Sequence, residues 1–265
     1  MVLKDKQVVI TGAGGGIGSQ IALAFARKGA NLALVDRNTE RLAGVASSCR
    51  AEGVKVKTIS ADITTAEGRT RIINETESAL GPVDVLVNNA GIMVFKSVLE
   101  HTEEDILNTL MVNVFAVIRL TQAVLPRMIE RSSGRIVNIG SVFGSLSFPY
   151  FSIYSASKSA IKGFSEGLRR ELDGTGVGVT YIAPRGTKTS QSATFFEMAK
   201  KMGMNLDDPE KVGAIVARSV EKEANEVFIG MPERLFVLMN KLMPSAVDKG
   251  LRKQTKILAE YSLKC

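Results

Sequence analysis

The sequence predicts an α/β protein built on a parallel β-sheet. Residues 8–10 and 32–35 are continuously apolar, as expected of strands that are buried on both faces. Between them, Ile21, Ala22 and Phe25 recur at helical spacing. Strand and helix patterns keep alternating along most of the chain, and such alternation predicts right-handed βαβ units.

The other elements follow in the same order. Further strands are predicted at residues 55–60, 83–87, 134–139, 176–182 and 227–229. Thr64 and Glu67 form a capping-box pattern, which predicts that a helix begins after the third strand. Asp208 before Pro209 predicts another helix start, because aspartate caps helices and proline suits the first helical position.

A glycine-rich segment joins the first strand to the first helix. It reads Thr11-Gly12-Ala13-Gly14-Gly15-Gly16-Ile17-Gly18. Its spacing is GxxxGxG, because the third glycine of a GxGxxG pattern would fall at Ile17. Backbone N–H groups and the helix dipole at such a position favour a bound phosphate. The alternative interpretation is a flexible glycine turn.

Asp36 ends the second apolar run. It lies 24 residues after Gly12, close to the offset of about 20 residues that is typical of a carboxylate bound to an adenosine ribose. The alternative is a turn aspartate that caps the next helix, although Asn38 can cap that helix instead.

A second turn of small residues follows the predicted strand at 83–87. It reads Asn88-Asn89-Ala90-Gly91. Small side chains there let the backbone pass close to a ligand. Taken alone, the segment is only a turn.

Tyr154 and Lys158 lie four residues apart in Tyr154-Ser155-Ala156-Ser157-Lys158. At helical spacing they share a face. A free tyrosine titrates near about 10, and a neighbouring cation lowers that pKa. The pair therefore suggests a proton donor that works near neutral pH, although such pairs also occur by chance.

Two polar residues lie among the apolar elements. Ser141 follows the predicted strand at 134–139, and ligands of open α/β sheets bind at the carboxyl ends of strands. Its alternative role is a helix cap. Asn113 lies in an apolar helical stretch, residues 111–125, where a buried amide needs hydrogen-bonding partners. Its alternative role is in packing.

Together, the motifs TGxxxGxG, NNAG and YxxxK resemble those of the short-chain dehydrogenase/reductase family. The resemblance extends from about residue 6 to about residue 230. It implies a doubly wound, Rossmann-like parallel sheet in three layers, a nicotinamide dinucleotide, and hydride transfer to or from a carbonyl carbon. A non-redox enzyme such as a dehydratase or epimerase, and a nucleotide-binding regulator, are the alternatives on the same fold.

The resemblance also implies roles for individual residues. Tyr154 would be the general acid/base, and Lys158 would lower its pKa and bind the nicotinamide ribose. Ser141 would bind the substrate oxygen, and Asn113 would hold a water beside Lys158 for proton relay. Asp62 would contact the adenine. Further cofactor contacts are implied at Ile63, Asn88, Asn89, Ala90, Gly91, Pro184, Gly186, Thr187 and Thr189.

The cofactor is predicted to be NAD(H). Asp36 would repel a 2′-phosphate and accept hydrogen bonds from a free 2′-hydroxyl, and no basic residue lies at Gly14-Gly15. Arg37 favours the alternative, NADP(H), because its guanidinium suits a phosphate.

The segment after the sixth strand departs from the family pattern. Arg185 replaces the usual glycine after Pro184, and Lys188 adds a second base, which suits either an anionic ligand or a solvated loop. Residues 185–208 are interpreted as a lid over an apolar substrate or as an ordinary amphipathic helix. Its apolar residues are Phe195, Phe196, Met198, Met202 and Met204. With Phe148, Tyr150 and Phe151, they predict a ketoacyl, steroid-like or aromatic substrate.

The C-terminal extension, residues 231–265, is the second departure. It contains seven Lys/Arg and three Asp/Glu, within a chain of net charge +7. Such a basic amphipathic segment suits an anionic membrane surface, packing on a neighbouring subunit, or covering the substrate cleft. A homodimer or homotetramer is implied by the family resemblance.

The composition fits one catalytic domain, residues 1–230, before this extension. The chain has 265 residues, 45% of them hydrophobic. A single histidine, His101, and two distant cysteines, Cys49 and Cys265, predict no metal site. Diffuse positive charge without a reading motif predicts no nucleic-acid partner. The early first strand predicts no signal peptide, and a cytoplasmic location is expected.

Overall fold

A seven-stranded parallel sheet forms the centre of the molecule. The computed structural model describes residues 1–189 and 193–262. The strands are β1 (Gln7–Thr11), β2 (Asn31–Asp36), β3 (Val56–Ser60), β4 (Val85–Asn88), β5 (Gly134–Ile139), β6 (Val177–Ala183) and β7 (Glu226–Phe228). They lie in the order β3-β2-β1-β4-β5-β6-β7, and every pair is parallel. The predicted doubly wound α/β fold is therefore confirmed.

Helices cover both faces of the sheet. They are α1 (Gly16–Ala26), α2 (Thr39–Arg50), α3 (Ala66–Leu80), α4 (Glu103–Leu110), α5 (Ala116–Glu130), α6 (Ser152–Glu171), α7 (Ala193–Lys201), α8 (Pro209–Glu221), α9 (Met231–Leu242) and α10 (Pro244–Ser262). A π-helical turn, Met111–Phe115, joins α4 to α5.

The core has two halves because successive side chains of a strand point to opposite faces of the sheet. In β1, Val8 and Ile10 pack with α1 and α8 on one face, whereas Val9 packs with α3, α5 and α6 on the other. Strands buried on both faces are continuously apolar, which explains why β1 and β2 could be recognised in the sequence.

The capping residues in the structure correct one predicted helix start and confirm another. The capping box predicted at Thr64 is wrong: Thr65 caps α3 by accepting from the Gly68 N–H, and Thr64 donates to Asp62 instead. Asp208 caps α8 with proline at its first turn, as predicted. Residues 111–125 are not one regular helix, because the π-turn at Met111–Phe115 widens it.

The run Glu103–Glu130 is long and apolar enough to cross a membrane by length and composition. Leu120, Val124 and Met128 are buried against the sheet, so the run also serves as a core helix. Its other face leaves Leu107 and Phe115 exposed.

The C-terminal helices pack onto the α/β body. Leu258 and Tyr261 of α10 are buried in one cluster with Met198 of α7 and Phe151. Val237 of α9 is buried beside Val142 and Leu146. Cys265 and Lys264 lie outside the described residues.

Candidate active site

One large cavity lies at the carboxyl ends of the strands. The strand order reverses between β1 and β4, and such a switch point is where open α/β sheets bind ligands. The cavity has a volume of about 1260 Å³. Its wall runs from the glycine-rich loop, past Ser141, Tyr154 and Lys158, to α9 and α10. It brings the predicted nucleotide and catalytic motifs together.

The glycine-rich loop is held tightly against the turn after β4. Gly12 has φ 65°, and a Cβ there would lie 2.8 Å from the Ala90 Cα. A Cβ at Gly18 would collide with the Gly12 carbonyl oxygen. Larger residues would therefore close the loop, which is the reason for the GxxxGxG spacing.

The start of α1 is open to the cavity. The helix begins at Gly16, and in this described part of the chain no side chain caps it and no acidic residue lies in its first turn. Gly15, Gly16, Ile17 and Gly18 all line the cavity. The free N–H groups and the helix dipole make this end a suitable site for a phosphate.

Asp36 lies beside this loop. One carboxylate oxygen accepts a hydrogen bond from the Gly14 N–H at 3.0 Å, and the other accepts from the Asn38 N–H at 3.0 Å. Asn38 caps α2, so Asp36 is left to line the cavity. Gly14 holds this carboxylate and is not among the lining residues.

Three candidate cofactor residues near this region, Arg37, Asp62 and Ile63, lie outside the cavity wall. Arg37 is 74% exposed and lies 3.7 Å from Asp62. Burial raises the pKa of Asp62, but hydrogen bonds from Thr64 and the charge of Arg37 bring it below its usual value. Ile63 is buried in the core. None of the three lines the cavity, whereas Arg41 does.

Thr11 organises the turn after β4. Its hydroxyl donates to the Val87 carbonyl and accepts from the N–H groups of Asn89 and Ala90. Asn89, Ala90 and Gly91 line the cavity, and their contact with the cofactor stays a prediction.

Asn88 does not line the cavity, contrary to the prediction. It is 3% exposed, and its amide donates to Asn138 and Thr121. Asn88 therefore ties β4 to β5 and α5 from inside the sheet.

The predicted catalytic residues Ser141, Tyr154 and Lys158 all line the cavity. Ser141 follows β5, and its side chain hydrogen-bonds with Tyr154. Ser141 Oγ also accepts from the Phe143 N–H at 3.1 Å, so it serves as a cap as well. Lys158 Nζ donates to the Ile139 carbonyl at 3.0 Å and lies 5.7 Å from the Tyr154 ring centre.

The pKa values of this pair move in the directions that burial dictates. Burial raises the pKa of Tyr154 to about 12, and the hydrogen bond with Ser141 offsets part of the rise. Burial lowers the pKa of Lys158 to about 8. The prediction of a lowered Tyr154 pKa is therefore wrong, because burial of the phenol outweighs the hydrogen bond with Ser141. At neutral pH Tyr154 keeps its proton.

Asn113 is buried behind the cavity wall and stabilises it through hydrogen bonds. Its Oδ1 accepts from the Ile92 N–H at 2.8 Å, and its Nδ2 donates to the Ile92 carbonyl at 2.9 Å and to Ser157 Oγ at 3.0 Å. It is 1% exposed. The π-turn that contains it is a common device at functional sites. Its role in proton relay stays a prediction.

The segment after β6 closes the cavity opposite the glycine loop. Pro184, Gly186, Thr187 and Thr189, for which cofactor contacts were expected, line the wall. A Cβ at Gly16 would lie 3.3 Å from the Thr189 methyl group, so the two segments face each other across a narrow gap. Residues 190–192 of the predicted lid, and the Phe195 side chain, lie outside the described residues.

Arg185 is not free to meet a ligand. Its guanidinium donates to both carboxylate oxygens of Asp207 at 2.9 Å and to both of Glu233 at 3.0 Å. These charge-assisted bonds raise the pKa of Arg185. Lys188 is exposed and does not line the cavity.

The outer half of the cavity is aromatic and apolar. The Phe143 ring lies 4.9 Å from Phe148, 5.1 Å from Phe151 and 6.4 Å from Tyr154. Met198, Met202 and Met204 add to this wall, in agreement with the lid interpretation. The extension closes the wall with Phe236, Met239, Val247 and Leu251. Covering the cleft was one of its three predicted roles.

Several contributors were not recognised in the sequence. Thr11 and Arg41 adjoin predicted motifs, but their side chains reach the site only in the fold. Tyr181 donates from its hydroxyl to the Ser141 carbonyl at 3.2 Å across 40 residues. Among the described residues, no group of three or more His, Cys, Asp or Glu is arranged to hold a metal.

Comparison with known proteins agrees with the fold and motifs. The short chain dehydrogenase family matches residues 6–200. The ketoacyl reductase HetN of Nostoc sp. is 29% identical over 256 residues, covering 94% of this chain and 89% of that protein. An oxidoreductase of Staphylococcus aureus is 33% identical over 228 residues, covering 86% and 98%.

Solved structures agree as well. A short-chain dehydrogenase from Streptomyces avermitilis has a TM-score of 0.79 at 30% identity, covering 95% of this chain and 97% of that one. With the family match, the β3-β2-β1-β4-β5-β6-β7 sheet and the cavity described above, the chain belongs to the short-chain dehydrogenase family.

Proposed function

We propose that this protein is an NAD(H)-dependent oxidoreductase that interconverts a ketone and a secondary alcohol on an apolar substrate. The observation that carries the proposal is the placement of Ser141, Tyr154 and Lys158 in the same cavity as the glycine-rich loop. A pure nucleotide-binding regulator has little use for a proton donor at that position.

The described residues fit a nicotinamide dinucleotide. Gly12 and Gly18 let the loop pack against the turn after β4, where a Cβ would collide, and the open start of α1 suits the pyrophosphate. Asp36 suits the ribose hydroxyls of NAD(H). When bound, the cofactor supplies or accepts the hydride.

Tyr154 and Ser141 can stabilise the negative charge that forms on the substrate oxygen. During reduction the carbonyl oxygen gains negative charge, and two hydroxyl donors can stabilise it as in an oxyanion hole. The Tyr154 O–H bond then breaks and its proton passes to that oxygen, which yields the alcohol. Because the pKa of Tyr154 is raised to about 12, the phenol is in its acid form at neutral pH.

Lys158 is placed to stabilise the phenolate that remains. It is 6% exposed, so its charge is little screened by water. With a pKa lowered to about 8, it is still mainly protonated at neutral pH. This arrangement favours reduction of a ketone near neutrality.

The substrate is proposed to be a β-ketoacyl thioester or another apolar ketone. The aromatic wall of Phe143, Phe148 and Phe151 and the flexible methionines of the lid suit an acyl chain or a ring system. The similarity to a protein named ketoacyl reductase favours the acyl substrate.

The test is consumption of NADH and NADPH with β-ketoacyl thioesters, aromatic ketones and steroid ketones. Tyr154→Phe should lower kcat by about 10²- to 10⁴-fold, as expected for loss of a general acid. Tyr150→Phe is the matched control, because it removes a nearby phenol that does not line the cavity. Binding of NADH without turnover on any ketone would favour a dehydratase, an epimerase or a regulator.

A further inference from the structure

The α9 helix exposes an apolar stripe on its outer surface. Met231, Leu235, Leu238 and Leu242 are 78, 58, 52 and 71% exposed. At about 100° per residue, these four positions fall within an arc of roughly 60°. A contiguous apolar stripe on a surface helix marks an interaction site, whereas single exposed apolar residues do not.

The same helix has three faces with different roles. Val237 is buried, and Asn240 donates to the Ser145 carbonyl, so one face is fixed to the body of the protein. Phe236 and Met239 lie on a second face that lines the active-site cavity. The exposed stripe is the third face, and it adjoins the cavity face along the helix.

Positive charge borders the stripe. Arg234 and Lys241 line a surface groove of about 360 Å³ between α9 and β7, together with Leu238. Within the described residues, neither base is paired with a carboxylate. The acid in the groove, Glu226, lies 3.6 Å from Lys162.

The last helix carries a basic face of its own. Lys249, Arg252 and Lys256 are exposed on α10 at i, i+3 and i+7, which places them on one face. The exposed acids Asp248 and Glu260 lie at the two edges of that face, so three bases stand against two acids and the face keeps a net positive charge. In α9, the charge of Glu233 is already matched by Arg185.

We propose that α9 and α10 dock the enzyme onto an anionic lipid bilayer. An exposed apolar stripe next to unpaired bases is the combination that interfacial helices use, and each base near an anionic surface adds to binding. A second copy of the chain fits less well, because a two-fold interface would oppose Arg234 and Lys241 to the same bases. Docking would bring the cavity-lining face of α9 close to lipophilic substrates.

The proposal is tested by co-sedimentation of the full chain with phosphatidylcholine vesicles, with and without phosphatidylglycerol. Wild type should bind the anionic vesicles at least tenfold more tightly. Arg234→Glu with Lys241→Glu should lower that binding at least tenfold, as should Leu235→Gln with Leu238→Gln and Leu242→Gln. Thermal unfolding without vesicles checks that each variant is folded.

Matched controls separate docking from general effects. Lys4→Glu with Lys55→Glu makes the same charge change on exposed sites elsewhere, and Val98→Gln with Leu99→Gln removes other exposed apolar groups. Both should bind like wild type. Absence of vesicle binding, or an equal loss in the controls, would overturn the proposal. So would a change of subunit number in the leucine variant, measured by light scattering. These outcomes do not depend on any reductase activity.

Discussion

Arg185 Nη1 lies 3.0 Å from both carboxylate oxygens of Glu233 and joins the end of β6 to the first turn of α9. The side chains are 16% and 19% exposed. Arg185 also forms an ion pair with Asp207, which is 4% exposed and lies at the end of the lid segment. The Arg185 guanidinium thus connects the end of β6 to both segments that cover the cavity, the lid and α9.

Glu233→Gln should loosen the C-terminal extension. The substitution removes the charge of one partner but leaves Asp207 to hold Arg185. Hydrogen bonds to charged groups contribute about 1.5–3 kcal/mol, so exchange of amide hydrogens in residues 231–242 should rise by about tenfold or more. Hydrogen exchange read by mass spectrometry measures this.

An exposed pair serves as the control for that change. Glu166→Gln breaks the contact between Glu166 and Arg170, whose side chains are 45% and 71% exposed. Such pairs contribute little, so exchange near residue 166 should hardly change. Equal exchange of α9 in Glu233→Gln and wild type would show that the ion pair does not hold the extension.

Reductase activity should fall at alkaline pH through Lys158. Its pKa is lowered to about 8 by burial, so the cation is present below that pH and is lost as the pH rises through it. Without the cation, the phenolate left after proton transfer is less stable. The profile of kcat/KM should be level near pH 7 and decline by about tenfold per unit well above 8.

Lys158→Arg distinguishes charge loss from general alkaline inactivation. Arginine keeps its charge throughout this range, so whatever activity the variant retains should lack the decline near pH 8. A decline at the same pH in the variant would assign it to another group.

Cofactor choice should depend on Asp36 and Arg41 together. Asp36→Ser removes the carboxylate that would repel a 2′-phosphate, and Arg41 lines the same part of the cavity. The ratio of kcat/KM for NADPH to that for NADH should rise at least tenfold, an effect of about 1.4 kcal/mol.

A pair of double variants identifies the base responsible. Adding Arg41→Ala should abolish the gain of Asp36→Ser. Adding Arg37→Ala should leave it, because Arg37 is 74% exposed and turned to Asp62. If Arg37→Ala abolishes the gain and Arg41→Ala leaves it, Arg37 is the phosphate-binding residue, as the sequence alone suggested.

Features encoded by neighbouring residues were predictable, and features made by distant contacts were not. The buried strands and the glycine loop carry their own pattern in β1 and α1. The two carboxylate partners of Arg185, Asp207 and Glu233, lie 22 and 48 residues away, so the connecting role of Arg185 left no local signal. The raised pKa of Tyr154 likewise depends on burial among several elements. Asn88 was predicted to line the cofactor only because it adjoins Asn89. Side chains alternate along β4, and that of Asn88 points into the protein interior.

Self-association should use the exposed face of the α4–α5 run. Leu107, Leu110 and Phe115 are 52, 38 and 43% exposed on it, and the family resemblance implies a homodimer or homotetramer through the helices that hold Asn113 and Tyr154. Leu107→Lys with Leu110→Lys would place two charges in that interface, where unpaired charges are costly. The subunit number should fall to one, as measured by light scattering after gel filtration. Val98→Lys with Leu99→Lys is the control, because it adds the same charges at positions 59 and 93% exposed. A wild-type protein that is already monomeric at micromolar concentration would refute this interface.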